Sequence, residues 1–369
     1  MDPPHGGNVC ALSAIDGGDL PEVRFAAHPH GGPECLWFHL DLSVRADGPG
    51  EAWLVLEHLE TMLGAGDPEA LWPVYRWDDD PWRRLPAGHP RITPDGRVEA
   101  AWQVSVPKGE SRLALAFCYP YGEAELADLM ASTEGRLVSN PIGVTQSGRP
   151  IPRLSTHPGS PSGEIPGVYI IGRQHSGETP GSWVLDGLLR AATRSADHWP
   201  LIWAVPLAHL DGVIDGDYGK DGFPYDLNRA WGQPPMRREV LCIQRDLGRW
   251  ARRCAPVAAL DLHAPGGCET DGVYTFLPHA VPAEGRAAEL AQGLLRALED
   301  KWAAADFVRR ADYPSRWDTP NFTAYITSTH DIPAVTLEVP YGAIGDRVLT
   351  IDDYRAIGAR LYEALSDMG

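Results

Sequence analysis

The chain has 369 residues, with 32 Lys and Arg against 50 Asp and Glu and a formal net charge of −18 at pH 7. That balance argues against nucleic acid and anionic membrane surfaces as partners. No apolar run approaches the ~20 residues needed to span a bilayer.

Apolar residues make up 43% and charged residues 22%, the balance of a globular protein. The length suits two domains, each able to bury its own core. The six cysteines are scattered without a C-x-x-C pair, and the first residues, from Met1 to Gly7, have neither a basic start nor an apolar stretch. Free thiols and a cytoplasmic home are therefore expected.

From about 10 to 118 the chain shows short alternating runs, such as Leu36 to Leu42 and Ala52 to Glu57, broken by Gly and Pro turns. This predicts an antiparallel β-sandwich, placed here as a first domain over 1–122. Residues 141–166, rich in Pro, Gly and Ser, read as a loop leading into the second domain, whose bounds are set at 123–369. Beyond it, apolar strands at 168–171, 201–206, 257–262 and 334–339 alternate with helices at about 180–194, 236–253, 282–304 and 352–367. Thr179 before Pro180 reads as a helix cap followed by Pro at the first position. The alternation predicts an α/β fold with a mixed, mainly parallel sheet and helices on both faces. Such sheets bind ligands at the C-terminal ends of their strands. No phosphate-cradling Gly-rich loop is present, so no nucleotide cofactor is expected.

Four residues at or near those strand ends carry chemistry. His175 and Glu178 stand three apart after the strand ending at Ile171. A second apolar run ends in Asp261-Leu262-His263, and a third carries a lone carboxylate, Glu338. Singly, each has a bland explanation: a loop histidine, a salt-bridged strand glutamate. Together His175, Glu178 and His263 supply two imidazoles and a carboxylate, the ligand set of a catalytic zinc site with one open position, one Zn2+ per chain. Zinc lowers the pKa of its water to about 7, and Glu338 is the natural general base.

The segment from His175 to Leu189, Leu210-Asp-Gly-Val213, and Asp226-Leu-Asn-Arg229 with Trp231 resemble motifs of the zinc metallocarboxypeptidases, in their cytosolic carboxypeptidase-like branch. Cys35 to Leu40 and Phe117 to Gly122 are similar to segments of that branch's leading β-sandwich. The resemblance implies zinc on His175, Glu178 and His263, with Glu338 as base. It implies that Asn228 and Arg229 take the substrate's terminal carboxylate, for which a guanidinium fork is well shaped. It gives Asp226 the task of orienting a ligand imidazole.

Two departures stand out. The family's oxyanion arginine falls, without gaps, on Gly219, leaving the neighbouring Lys220 to supply a point charge, or Arg to be restored at 219. A lost oxyanion donor costs about 10²–10³ in rate. The mobile tyrosine of many relatives is assigned to Tyr325. Specificity for acidic tails is not carried over, because so acidic a chain needs local basicity, for which Arg309, Arg310 and Arg316 are the candidates.

The expected activity is removal of a C-terminal amino acid from a peptide or small amide with a free carboxylate. One alternative is an N-acyl amino acid amidohydrolase of the desuccinylase or aspartoacylase type. Those relatives place a β domain after the base, whereas only about thirty residues follow Glu338 here. Another is a catalytically weak zinc-binding protein, motivated by Gly219. The preferred side chain, the oligomeric state and the role of the first domain are left open.

Overall fold

The computed structural model describes residues 6–16, 19–30, 32–195, 200–278, 285–311 and 317–368. The chain begins with strands β1 (Cys10–Ile15), β2 (Glu22–Ala26), β3 (His39–Ala46), β4 (Gly50–Glu57), β5 (Val74–Trp77), β6 (Arg83–Arg84), β7 (His89–Ile92), β8 (Val98–Val106) and β9 (Gly109–Ala116). They form a five-stranded sheet, β1-β2-β4-β8-β7, and a four-stranded one, β3-β9-β5-β6. Phe25, Leu54, Leu56 and Trp102 from the first sheet share an apolar layer with Leu40, Leu113 and Leu115 from the second. The pairing is not antiparallel throughout, because β2 and β4 run parallel. The chain leaves β2 to lay β3 in the other sheet and then returns, and a crossover of that kind brings strands back in the same direction.

There follow α1 (Glu123–Ser132), β10 (Val138–Val144), β11 (Pro150–Ser155), β12 (Pro166–Gly172), α2 (Thr179–Arg194), β13 (Leu201–Val205), α3 (Leu210–Asp215), α4 (Arg238–Trp250), β14 (Ala255–His263), β15 (Val273–Leu277), α5 (Arg286–Leu298), β16 (Ala303–Arg310), α6 (Phe322–His330), β17 (Ala334–Glu338) and α7 (Ile351–Ser366), with two short strands before α7. Eight of these strands make one mixed sheet, β10-β11-β13-β12-β14-β17-β15-β16. Its centre, β13-β12-β14-β17, is parallel. Antiparallel pairs enter at β10–β11, β11–β13 and β15–β17.

The central strands read as unbroken apolar runs because both faces are covered. On β12, Val168 and Ile170 pack into a core with Trp183 and Leu188 of α2 and Ile357 and Leu361 of α7. Tyr169 and Ile171 point the other way, toward Ile243 and Trp250 of α4 and Phe322 and Ile326 of α6. Alternation along the strand divides the two cores. On the first face, a Cβ on Gly187 or Gly358 would collide with the backbone of α7 or α2, so these glycines permit that helix contact.

Three expectations need correction. Helix α2 starts at Thr179 with Glu178 in the cap position, one residue earlier than the Thr-Pro signal suggested. The helix expected at 282–304 is shorter; its first residues fall outside the described ones, and 303–310 is strand β16, paired with β15. Pairing with a neighbouring strand overrides the helix preference of its alanines. Strands β10, β11 and β15 also went unread. The six cysteines carry no disulfide. Among the described residues no helix is long and apolar enough to cross a membrane.

Candidate metal centre and active site

Strands β12, β14 and β17 lie side by side and in register, with Gly172 opposite Leu262 and His263 opposite Glu338. Their C-terminal ends therefore deliver His175, His263 and Glu338 to one place. The loop after β12 is built around Arg173, a buried residue in the left-handed region at φ 61°. Its guanidinium donates to the carbonyls of Ser176 and Tyr121, at 2.7 Å each, and so winds the loop about itself. Glu178 then occupies the cap of α2 without capping it, which leaves the carboxylate to its neighbours.

Those neighbours are the two histidines. His175 Nδ1 is 2.8 Å from Glu178 Oε1, and His263 Nδ1 is 2.7 Å from Oε2. The three ligand atoms lie within 4.8 Å of one another, and all three residues are buried. Burial alone would pull both imidazoles down, but Glu178 with Asp226 raises His175, and Asp261 with Glu178 raises His263. Burial alone would raise Glu178, yet the two imidazoles hold it well below the carboxylate range. Two nitrogens and a carboxylate converging in a buried pocket that calls for positive charge fit a divalent cation, and the N2O donor set suits zinc.

Carboxylates stand on the far sides of both rings, although His175 Nε2 makes no hydrogen bond among the described residues. His175 Nε2 is 3.4 Å from Asp226 Oδ1. His263 Nε2 is 3.0 Å from Asp261 Oδ1 and 3.0 Å from the Asn228 side-chain nitrogen. Asp226 also accepts from the backbone N–H of Asn228 at 2.7 Å and of Asp221 at 2.9 Å, pinning the turn that carries Asn228 and Arg229. Gln174, fully buried, donates to both oxygens of Asp261 and accepts from the indole of Trp231 at 2.8 Å. Sequence reasoning gave Asp261, Gln174 and Trp231 no role. The signals were there: a carboxylate two residues before a ligand, an amide beside another, and the tryptophan of the Asp-Leu-Asn-Arg-x-Trp motif.

Glu338 ends β17, partly exposed to a cleft of about 300 Å³ that His175, Glu178, Lys220, Asn228, Arg229 and His263 also line. Its Oε2 has no partner among the described residues. Burial, with Glu178 adding to it against the pull of His263 and Lys220, pushes its carboxyl up to about 7. Lys220 is half-buried; burial would lower its ammonium, but Glu178, Glu338 and Glu34 keep it raised. Arg229 is likewise half-buried, and its guanidinium donates to the Asn228 carbonyl at 2.9 Å. Asn228 is engaged at both ends, its side-chain oxygen accepting from Gln174 at 2.9 Å.

Gly219 cannot take the arginine that sequence alignment suggests. Its φ is +84°, and a Cβ there would stand 2.5 Å from the Ser176 hydroxyl oxygen and 2.7 Å from the Ser176 nitrogen. The structure does not bring Tyr325 to the cleft: it packs in the second core, 5.6 Å from the Trp231 ring. Nor does Arg309 offer a loose positive charge, since Asp306, Glu269 and Asp271 surround it. Arg310 ends β16 and has interactions of its own, and Arg316 lies outside the described residues. Glu34 and Leu63, from the N-terminal sheets' loops, also line the cleft and had not been singled out.

No protein-family model matches the chain. Among curated proteins it matches human cytosolic carboxypeptidase 6 at 26% identity over 170 residues, 42% of this chain and 34% of that protein. It matches Danio rerio cytosolic carboxypeptidase 2 at 23% over 237 residues, 56% of this chain and 32% of that one. The chain thus spans about a third of the length of these curated relatives. Among solved structures, a Burkholderia cenocepacia metallo-carboxypeptidase superposes with a TM-score of 0.78 at 18% identity, covering 99% of this chain and 96% of that one. A Pseudomonas aeruginosa metallo-carboxypeptidase, in complex with (2-guanidinoethylmercapto)succinic acid, does so with a TM-score of 0.76 at 21% identity, covering 98% and 96%. The chain has the metallo-carboxypeptidase fold over nearly its whole length.

Proposed function

We propose that the protein is a zinc-dependent carboxypeptidase that hydrolyses the last amide bond before a free carboxylate. The observation that carries this reading is the pairing of Glu338 with His263 on adjacent strands, with an unpartnered carboxylate oxygen facing the cleft beside the His175–Glu178–His263 cluster. Zinc held by those three residues would act as a Lewis acid on the amide carbonyl and make water acidic near neutral pH.

The chain's own groups do the rest. Glu338 takes the proton from the attacking water and returns it to the leaving amine, as its raised pKa suits. Lys220 faces the oxygen on which charge develops, in place of an arginine. Arg229 binds the terminal carboxylate. Asn228 lines the same end, with its side-chain nitrogen 3.0 Å from the His263 ring. Asp226 and Asp261 hold the two imidazoles in the tautomer that turns Nδ1 inward. Residues 1–122 are read as a unit that narrows the cleft.

Mass spectrometry of a peptide pool incubated with zinc-loaded protein tests the reading. Loss of one residue from free acids, and none from amidated controls, is expected. No cleavage despite one zinc per chain would overturn it and favour small N-acyl amino acids or a binding role.

A further inference from the structure

Two loops of the N-terminal sheets press directly on the cleft. Gly32 packs so closely on the loop carrying Lys220 that a Cβ there would lie 3.0 Å from the Asp221 carbonyl oxygen and 3.1 Å from that of Lys220. Nearby, the backbone N–H groups of Gly267 and Cys268 donate to the carbonyls of Leu63 and Gly64 at 3.0 and 2.7 Å. These contacts fix Glu34 and Leu63 as one wall of the cleft.

Glu34 is poorly served in that wall. Its Oε2 is shielded from solvent and has no hydrogen-bond partner among the described residues. The charges of Lys220 and His175 pull its carboxyl down, against burial. Its neighbour in the cleft lining is another acid, Asp221. Asp221 is itself held by the indole N–H of Trp317 at 2.6 Å. Burial pushes the Glu34 carboxyl up, and Asp221 adds to this. Two carboxyl groups in contact need a shared proton or a cation between them, and a basic group on the substrate supplies the second. Gly32, two residues before Glu34, packs on the Lys220–Asp221 backbone, which sets Glu34 on the Lys220 side of the cleft.

We propose that Glu34, with Asp221 beside it, is a specificity-determining residue that recognises an ammonium or guanidinium on the residue preceding the scissile bond. The inference rests on the carboxypeptidase reading above and adds a substrate class to it: short peptides whose penultimate position carries positive charge. That charge comes either from a basic side chain or from the free amino terminus of a dipeptide.

The test compares kcat/KM for peptides with Lys or norleucine in the penultimate position, and for free or N-acetylated dipeptides. A charge-assisted hydrogen bond corresponds to about 10–100-fold, so preference of that size for at least one cation source is expected. In Glu34→Gln the cationic-to-neutral ratio falls toward one, and in Glu34→Lys it inverts. Binding of the same peptides to zinc-loaded Glu338→Gln protein, by calorimetry, reads the preference without turnover. Zinc content and thermal midpoint of each variant report folding. Equal kcat/KM for lysine and norleucine peptides and for free and acetylated dipeptides, preference residing only in the last residue, or an equal fall of kcat on all substrates in Glu34→Gln would overturn the proposal. The last result would make Glu34 a support for Lys220. Absence of cleavage with a tenfold tighter cationic peptide in the calorimeter would sink the carboxypeptidase reading and leave the cation subsite standing.

Discussion

Asp261 and His263 stand two apart on β14 and so share a face, with Asp261 Oδ1 3.0 Å from His263 Nε2. The carboxylate accepts a hydrogen bond from Nε2–H and so leaves Nδ1 as the atom that a metal beside Glu178 would take. Removing the charge in Asp261→Asn should lower zinc affinity about 10–100-fold while the fold survives. Competition with a chromophoric chelator measures it, and an unchanged affinity would strip Asp261 of this role.

Glu338→Gln should keep zinc and lose activity by about 10²–10⁴. The base acts deprotonated, so kcat/KM must fall as pH drops through its pKa. Without metal that value is about 7. A bound cation lowers it, so the acid limb of the loaded enzyme is expected below pH 7. A limb above 7 would point to another group.

Both imidazoles are raised above their usual pKa in the metal-free cluster. Zinc must displace those protons, so its binding should release protons and weaken as pH falls. Titration calorimetry in buffers of different ionisation enthalpy counts the protons. His175→Ala should not retain stoichiometric zinc, and a variant that does would remove His175 from the ligand set.

Lys220→Ala should reduce kcat by about 10²–10³, the cost of an oxyanion donor. Gly219→Arg should not rescue it. Gly219→Ala alone is expected to cost about 1–3 kcal/mol of stability from its left-handed φ, with more from the clash at Ser176. Thermal melts and zinc content check this together; a stable, metal-replete Gly219→Arg would refute the crowding.

Away from the cleft, His39 is buried, and burial, with Arg76 nearby, pushes its imidazole down to about 4. Unfolded, it titrates near 6.5, so between about 6.5 and 4 only the unfolded state takes the proton, and stability falls as pH falls. The shift corresponds to on the order of 3 kcal/mol, fully present above 6.5 and lost toward pH 4. Urea melts of His39→Gln against the parent across that range should show a shallower dependence; parallel curves would exclude His39 as the source.

The central strands and three of the helices were legible because burial on both faces writes long apolar runs and caps write helix starts. Strands β10, β15 and β16 were not. Val138–Val144 carries two features that disguise a strand, Pro141 and Gly143, and β16 begins with three alanines. Both are given their conformation by a neighbour across the sheet. At the centre, His175, Glu178 and His263 were readable as a set because donor chemistry constrains residue type. The placement of Tyr325 was not, since an aromatic in an amphipathic segment suits a core or a cleft equally well. Glu34 lay farther out of reach: nothing local marks a glutamate some 140 residues before His175 as a cleft residue, and only tertiary packing does.

The register of three strands bears on more than geometry. His263 and Glu338 are opposite one another because β14 and β17 are aligned to the residue. A slip of one position would turn a ligand or the base to the opposite face of the sheet. Occupancy by metal would therefore act as a proofreading signal: a chain whose sheet has closed out of step would have nowhere to put the ion, and chelation would distinguish correctly assembled molecules from compact impostors.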